Sequence, residues 1–350
     1  MSGVKGTTAL IRLAQNPKCE VLGAMVLQPG SEKKFFEHVV GQPYDREFGE
    51  RQSSRRRGSQ FERNAYEGDA RLLRESLAGI VGKDPEDIIV RNLLEFEPGM
   101  KDEARVRRLG MTRKILADQS AGRDCPDIVI QPQGLLPTRP GLKPYFFVSA
   151  DALVLARSIN RYKVCDLKSF VVRQNEVAPG DLARVRLQLA AQHLALLHDY
   201  DHVGAPFDLP AEGVLIFSRP NGLRPHDPRV EDIGGAVEAV RAAIRSFIAH
   251  RDKIQALASG AAPYTVVDDL TPHFREGCLT SCVMAQWCRD RISGRAAELG
   301  DDALDLLGDV ELNRLSDLMT GRAEPTDAAE RELAQALRSI AAANGLAEVA

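Results

Sequence analysis

Apolar and polar positions alternate in segments of the central part of the chain, and these segments predict β-strands. Two of them are short β-branched runs, CPDIVIQP at 125–132 and EGVLIFSRP at 212–220. Between them the polar stretch RSINR interrupts a longer apolar run. We therefore expect residues 145–155 and 162–172 to pair as the two strands of a hairpin.

Segments with helical spacing of apolar residues surround these strands. Pro17 divides the first of them and places Cys19 at a bend or a helix start. Residues 28–57 are polar and are expected to be irregular, and residues 86–98 include a possible short strand. The helical segments are 6–27, 58–81, 101–119, 181–200 and 231–258, followed by a helical stretch towards the C-terminus. The central order helix, strand, strand, helix, strand predicts an α/β fold.

The overall composition is that of a globular protein. Apolar residues make up 44% of the chain and charged residues 27%. No apolar run approaches the roughly 20 residues that a membrane-spanning helix needs. Arg12 and Lys18 interrupt the apolar N-terminal stretch, which therefore lacks the pattern of a signal peptide. We expect a cytoplasmic protein without a membrane segment.

Charge is distributed unevenly along the chain. Residues 295–350 contain 12 acids and five arginines, a net charge of −7 against −3 for the whole chain, so residues 1–294 carry +4. Arginines are concentrated in residues 51–63 and 104–114. Such runs attract phosphate backbones, but a solvated helix face explains each run equally well.

Three of the six cysteines, Cys278, Cys282 and Cys288, lie within eleven residues of one another. A cytoplasmic protein does not normally hold cysteines as disulfides, so this grouping indicates metal or cluster ligation. Two alternatives remain open, a structural zinc site with His273 as a ligand and buried structural thiols.

Asp166 and Lys168 in CDLKSF share one face of a predicted strand, because residues two apart in a strand point the same way. Asp151 precedes Asp166 by 15 residues, a span that a hairpin can fold so that the two carboxylates meet. Oxygen ligands suit Mg²⁺ or Mn²⁺, and a nearby lysine can orient or help deprotonate a water that attacks a phosphodiester. Asp127 is an alternative partner for Asp166.

Taken together, the motifs resemble the PD-(D/E)XK nuclease superfamily. The resemblance is closest to its RecB-like exonuclease branch with an iron–sulfur cluster, which includes the nuclease domain of AddB and small nucleases associated with CRISPR adaptation. The matching segments are TTALIRLAQNPKC (7–19), RRGSQFE (56–62), FVSADALVL (147–155), CDLKSF (165–170), RLQLAAQHLAL (186–196) and GCLTSCVMAQWC (277–288). In the fifth segment that branch often has a tyrosine where this chain has Gln192.

The resemblance implies a restriction-endonuclease-like core, with a mixed central sheet flanked by helices and a helical periphery stapled by a [4Fe–4S] cluster. The implied ligands of Mg²⁺ or Mn²⁺ are Glu62, Asp151, Asp166 and the backbone carbonyl of Leu167. Lys168 would position or activate water, and Gln188 would orient the site or touch substrate. The implied cluster ligands are Cys19, Cys278, Cys282 and Cys288.

The expected activity is metal-dependent hydrolysis of DNA, on single strands or duplex ends, in DNA repair or defence against foreign DNA. We expect residues 1–294 to form the nuclease domain and residues 295–350 an acidic helical extension. Protein partners in a repair or defence complex are part of this expectation. The alternative is a non-catalytic nucleic-acid-binding subunit of a larger complex, with a structural cluster or a zinc site.

Overall fold

The chain folds as an α/β protein whose mixed six-stranded sheet is flanked by helices. The structure, a computed structural model, describes residues 4–29, 31–44, 52–94, 101–139, 142–171, 177, 179–219, 223–275, 277–296, 307–308 and 310–343. The α/β class and the mixed central sheet predicted from the sequence are confirmed at this level.

Nine strands and eleven helices are named below within the described residues. The strands are β1 (Val4–Gly6), β2 (Val90–Asn92), β3 (Ile128–Ile130), β4 (Gln133–Arg139), β5 (Leu142–Ser149), β6 (Ala152–Ala156), β7 (Arg161–Val171), β8 (Glu212–Ser218) and β9 (Arg229–Asp232). The helices are α1 (Thr7–Gln15), α2 (Glu20–Leu27), α3 (Glu32–Val40), α4 (Gln52–Val81), α5 (Lys101–Ser120), α6 (Pro179–His202), α7 (Gly234–Ala258), α8 (Cys278–Ser281), α9 (Ala285–Ile292), α10 (Leu312–Thr320) and α11 (Ala328–Ala343).

The main sheet has the strand order β2-β3-β6-β7-β8-β9, with β7 near its centre. Strand β7 pairs antiparallel with β6 and parallel with β8. Two parallel strands need a long crossover connection, and α6 provides it between β7 and β8. A smaller sheet has the order β1-β5-β4. Helix α6 packs against strands of both sheets, so it lies where the two sheets meet.

The predicted hairpin is correct in its second strand and wrong in its first. Residues 142–149 form β5 in the smaller sheet, whereas residues 152–156 form β6, which pairs with β7. The chain therefore changes sheets at Ala150 and Asp151, and Asp151 lies between two strands instead of within one. The apolar pattern continues through this point because the strands on both sides are buried, so the pattern contains no break at which to divide them.

The N-terminal segment matches its prediction, and the segment after it does not. Helices α1 and α2 are separated at Pro17, and Cys19 is the N-cap of α2, with its Sγ accepting from the Leu22 amide at 3.4 Å. Part of the stretch expected to be irregular forms α3, whose first turn is capped by the hydroxyl of Ser31. Residues 45–51 of that stretch lie outside the described residues.

Helix α4 confirms the helix expected at 58–81 but begins earlier, and it is interrupted. Glu67 has an extended ψ of 155°, and Gly68, Asp69 and Ala70 all have left-handed φ angles near 60°. Left-handed φ angles are unfavourable for residues with a Cβ, so this kink is a specific local structure. It separates the first half of α4, which carries Glu62, from the second half that packs under the sheet through Leu73.

Apolar side chains cover both faces of the main sheet, as the alternation along β7 shows. Tyr162 and Val164 belong to the larger core shared with α1, α2, α6 and α7. Cys165 and Leu167 point to the opposite face, into a smaller core against α4. Burying one such side chain contributes about 1.5–3 kcal/mol. Asp166 points to the same face as Tyr162 and Val164, towards α6, and is completely buried, so its carboxylate needs polar partners.

Two helices, α10 and α11, pack against each other in the C-terminal region expected to be an acidic extension. Arg314 of α10 forms a bidentate pair with Glu330 of α11, with the shorter contact at 2.7 Å. The division into residues 1–294 and 295–350 stays a prediction. None of the helices in the described part of the chain combines the length and the apolar character of a bilayer span.

Candidate active site

The carboxylates of Asp166 and Asp151 meet at the open end of the β6–β7 hairpin, opposite its turn. Asp166 of β7 is 0% exposed, and its Oδ2 lies 2.6 Å from the ammonium Nζ of Lys168, two residues further along the same strand. Asp151 reaches the same place from the sheet change before β6, where its Oδ2 accepts from the amide of Leu167 at 2.7 Å. The ladder between β6 and β7 ends at the pair Ala152–Cys165, which leaves the Leu167 amide to bind this side chain.

The carbonyl of Leu167 faces the same way as its amide. In an extended strand the N–H and C=O of one residue point to the same neighbour. Because the amide of Leu167 points to Asp151, its carbonyl also points to the side of β7 on which Asp151 lies.

Helix α6 contributes two amide side chains to this group. Gln188 accepts from Lys168 Nζ at 3.1 Å and donates from its Nε2 to Asp166 Oδ1 at 2.8 Å. Gln192, one helical turn further, donates to the same Oδ1 at 3.3 Å. The amides thus hold one oxygen of Asp166, while the other oxygen faces Lys168.

Glu62 of α4 is the third carboxylate of the group. Burial raises its pKa, and the charges of Lys168 and Asp166 act on that pKa in opposite directions. Burial also raises the pKa of Asp151 well above its usual range, and the nearby charge of Asp166 adds to the effect. For Lys168, burial alone would lower the pKa, but the attraction of Asp166 and Asp151 outweighs burial and raises it.

These carboxylates have the donor chemistry of a site for a hard divalent cation. Three acidic groups share one lysine, and removing charge from water without compensation is costly. Asp166 Oδ2 has the Lys168 ammonium as its close contact and no hydrogen-bond donor of good geometry among the described residues. Oxygen ligands at such a place fit Mg²⁺ or Mn²⁺. Within the described ranges, no three His, Cys, Asp or Glu side chains already have the arrangement of a metal site.

Two residues that sequence reasoning missed hold the backbone of Asp151. The amide of Gln131 and the hydroxyl of Tyr66 both donate to the carbonyl of Asp151, at 2.9 and 3.3 Å. Gln131 has a left-handed φ of 53°, which costs of order 1–3 kcal/mol for a residue with a Cβ. Its place directly after the β-branched run IVI was the available signal for a sharp turn. No pattern in the sequence pointed to Tyr66.

The alternative ligand Asp127 lies in a different environment. Its carboxylate binds the ammonium of Lys83 at 2.8 Å and accepts from the amide of Ile89 at 2.8 Å. These contacts join the start of β3 to the segment before β2, which gives Asp127 a structural role. Asp151, and not Asp127, is the aspartate that the fold brings to Asp166.

The motif around Gly58 lies beside the end of β7. Arg57 donates from its Nε to the carbonyl of Ser169 at 2.9 Å. A Cβ added at Gly58 would lie 3.8 Å from the Ser169 hydroxyl, so this turn of α4 passes close to the strand. Glu62 is one helical turn later, which explains how a residue of α4 reaches the carboxylates of the sheet.

Part of the second arginine-rich stretch has a structural role. Arg113 of α5 binds the buried carboxylate of Asp199 on α6, with Nε to Oδ1 at 2.9 Å. The other oxygen of Asp199 accepts from the amide of Leu135 on β4 at 3.3 Å. This arginine ties α5 to α6 and the smaller sheet, which is neither of the two roles expected from the sequence.

The four cysteines of the resemblance line one cavity of about 510 Å³. Cys19 comes from the start of α2, and the others come from the region of α8 and α9. All six cysteines are free thiols. Cys165 lies instead in the core on the opposite face of β7 from Asp166, as its position in the strand predicts, and Cys125 does not line the cavity. The fold therefore separates these two from the other four.

Two of the cavity cysteines, Cys19 and Cys288, are buried, and Cys278 and Cys282 are half-buried. Burial raises the pKa of Cys282 to about 12, and neighbouring Cys19 and Cys278 contribute to the increase. Burial raises the pKa of Cys288 as well, again with contributions from the other three thiols. Burial and neighbouring thiols thus disfavour ionisation of Cys19, Cys282 and Cys288, and a cationic group at this place would stabilise the thiolates. The donor set suits a Cys₄-ligated iron–sulfur cluster or zinc.

A polar bridge connects the early and late segments beside this cavity. Asn16 Nδ2 donates to the carbonyl of His273 at 2.6 Å and to Cys278 Sγ at 3.5 Å. Asn16 Oδ1 lies 2.7 Å from Nδ1 of the His273 ring. His273 itself lines the cavity and remains a possible zinc ligand.

Helix α6 passes from the cysteine cavity to the carboxylates. Arg184 and Leu187 line the cavity, and Gln188 contacts Asp166 and Lys168. One helical turn rises about 5.4 Å, so the two sites are neighbours along this helix. No model of a known protein family matches the chain, and a search of curated proteins finds no match. The arguments about function therefore rest on the two sites themselves.

Proposed function

We propose that this protein is a metal-dependent DNA nuclease of the PD-(D/E)XK type, with a restriction-endonuclease-like core and a [4Fe–4S] cluster. The observation that carries the proposal is the meeting of Glu62, Asp151, Asp166 and Lys168 at one end of β7. These residues come from α4, from the sheet change and from β7, and the chain separates the first from the last by more than 100 residues. A chance acid-x-lysine pair would not require that convergence.

Three carboxylates and one carbonyl would hold the cation. The ligands would be Glu62, Asp151, Asp166 and the carbonyl of Leu167. A bound Mg²⁺ or Mn²⁺ would supply positive charge that polarises the scissile phosphate and stabilises the leaving oxygen. The protein's contribution is to keep the ligands oriented before substrate arrives.

Lys168 and Gln188 act on the water and on the orientation of the site. The ammonium of Lys168 points to the carboxylates, where it can donate to an attacking water and offset charge on the phosphate. Gln188 binds both Lys168 and Asp166, so one side chain fixes the relation of the lysine to the carboxylate. Holding both groups in one geometry lowers the entropic cost of reaching the transition state.

The four-cysteine cavity supports the cluster. Cys19 is separated from Cys278, Cys282 and Cys288 by most of the chain, yet all four line one cavity. A cluster ligated there would staple the N-terminal helices to α8 and α9, and it would supply structural cross-linking. The Cys₄ donor set and the depth of burial support this assignment.

The substrate we propose is DNA, as single strands or duplex ends. Arg56 and Arg63 are exposed on the helix that carries Glu62, and basic side chains beside a nuclease site attract a phosphate backbone. The setting would be cytoplasmic DNA repair or defence against foreign DNA, with protein partners in such a complex.

The test is degradation of end-labelled single-stranded DNA in the presence of Mn²⁺ or Mg²⁺. We expect wild-type protein to cleave and Lys168→Ala to be inactive. Lys163→Ala is the matched control, because Lys163 lies on the same strand and pairs with Glu212 at 2.5 Å, away from the carboxylates. No cleavage by wild type with either metal, together with retained DNA binding, would support the non-catalytic subunit instead.

The identity of the group in the cysteine cavity has a separate test. Anaerobically purified protein should be brown and absorb broadly near 400 nm, with about four iron atoms per chain. Colourless protein loaded with zinc would reject the cluster and assign the cavity to a structural zinc site.

A further inference from the structure

Gln192 is a buried polar residue that the proposed mechanism does not yet use. Its side chain is 3% exposed, and its Nε2 donates to Asp166 Oδ1 at 3.3 Å and to the carbonyl of Ser149 at 3.2 Å. We propose that Gln192 is a positioning residue that fixes the Asp166 carboxylate relative to the segment carrying Asp151, and so sets the cation affinity of the site. This inference rests on the proposed function.

The chemistry of the neighbours determines the orientation of the Gln192 amide. The Ser149 carbonyl can only accept hydrogen bonds, and so can Oδ1 of an ionised Asp166. The NH₂ group of Gln192 must therefore face both of them, because the opposite orientation would bring three acceptor oxygens together. The direction of the amide is thus fixed by its surroundings.

The position of Ser149 gives this hydrogen bond its importance. Ser149 is the last residue of β5, two residues before Asp151, whereas Asp166 belongs to β7 in the other sheet. One amide group therefore connects the two segments that carry the two carboxylates. Since Gln188 binds the same Oδ1, two donors hold that oxygen and direct Oδ2 towards Lys168.

Gln192 also lines a small cavity whose other walls are mostly apolar. Gln192 Oε1 is buried and has no donor among the described residues. The cavity has a volume of about 20 Å³ and is also lined by Thr112 and Asp199.

The experiment measures Mn²⁺ binding by electron paramagnetic resonance of the free ion, which requires no cleavage. We expect Gln192→Met to bind Mn²⁺ about 10- to 100-fold more weakly than wild type, as loss of an outer-shell partner usually does. Gln192→Asn keeps the amide on a shorter side chain that cannot reach both acceptors, so it should show an intermediate loss. In cleavage assays the metal requirement should rise while KM for DNA stays within about twofold.

The matched control is Gln119→Met. Gln119 is also a buried glutamine, 5% exposed, and binds the Asn160 carbonyl and the Tyr200 hydroxyl away from the carboxylates. Its Mn²⁺ affinity should equal that of wild type, and circular dichroism verifies folding of every variant. An affinity of Gln192→Met within twofold of wild type, or an equal loss in both variants, overturns the positioning role alone. Wild type that neither binds Mn²⁺ nor cleaves DNA overturns the proposed function and this inference together.

Discussion

The carboxylate site and the cysteine cavity differ in how they are completed. At the carboxylates, Lys168, Gln188 and Gln192 already contact Asp166, and strand β7 and helix α6 hold these residues in place. At the cavity, four thiols from opposite ends of the chain surround about 510 Å³. The protein's own contacts hold the carboxylate site together, whereas the cysteine cavity would be completed by the group that it binds.

This difference predicts that removing the bound cation changes the stability of the fold little, whereas removing the group in the cysteine cavity lowers it. Removing a cation from this site leaves the contacts of Lys168, Gln188 and Gln192 with Asp166 in place. Removing a group that connects residue 19 to residues 278–288 deletes a cross-link across most of the chain. Activity should therefore depend on the carboxylates, and stability on the cysteines.

The largest expected effect is the loss of activity in Asp151→Asn and Asp166→Asn. Each replaces a carboxylate ligand with a neutral amide of the same shape, and cleavage should fall by at least about 10³-fold, roughly 4 kcal/mol of transition-state stabilisation. Absorption near 400 nm should be unchanged in both variants. Loss of the absorption near 400 nm in Asp166→Asn would show that the carboxylate site and the cysteine cavity depend on each other.

The next effect concerns stability and comes from Cys288→Ser. Cys288 is 5% exposed and lies against the core, so loss of its ligand bond should remove the absorption near 400 nm and lower the melting temperature by about 5 °C or more. Adding EDTA to wild type should abolish cleavage and leave the melting temperature within about 2 °C. Equal decreases in melting temperature for EDTA-treated wild type and for Cys288→Ser would contradict the expected difference in stability between the two sites.

A smaller effect is expected at the polar bridge of the cavity. Asn16→Leu removes the donor to Cys278 Sγ, and hydrogen bonds to ligating sulfur are among the factors that set a cluster's reduction potential. We expect the brown colour to persist and the potential to become more negative, as measured by a redox titration. An unchanged potential in a folded, coloured variant would leave Asn16 with a purely structural role.

The smallest effect on activity should come from Asp127→Asn. This aspartate is 2% exposed but binds Lys83 and the Ile89 amide, so its loss should cost about 1–2 kcal/mol of stability and leave cleavage within about twofold. Urea unfolding gives the first quantity, and the single-strand assay gives the second. Strong loss of cleavage here would make Asp127 a rival of Asp151 again.

The sequence predicted the elements well and their arrangement less well. Strong periodicity located α6 and α7, and the β-branched runs located β3, β7 and β8. The sequence did not reveal that residues 144–156 divide between two sheets, because buried strands on both sides of Ala150 continue the same apolar pattern. Strands β4 and β9 were missed for a different reason. Both are edge strands, and β4 contains a proline and β9 charged residues, which are not typical of a strand pattern.

In the candidate site, too, local relations were predicted from the sequence and tertiary contacts were not. Asp166 and Lys168 could be placed together from strand periodicity alone, and the distance of 2.6 Å agrees with that placement. Glu62 and Gln188 came only from the resemblance, because nothing local connects a helix at residue 62 with a strand at 166. Tyr66 acts through a tertiary contact, so no spacing in the sequence identifies it, and the resemblance marked the position of Gln192 without its contact to Asp166.

The separation of Cys19 from Cys288 also constrains how the protein is made. At about 5–20 residues per second, translation places roughly 15–50 s between the emergence of the first and the last thiol from the ribosome. During that interval the nascent chain carries the carboxylates and Lys168 but only one wall of the cavity. Delivery of iron and sulfide for the proposed cluster would then follow synthesis of nearly the whole chain, so maturation machinery would meet an almost complete chain.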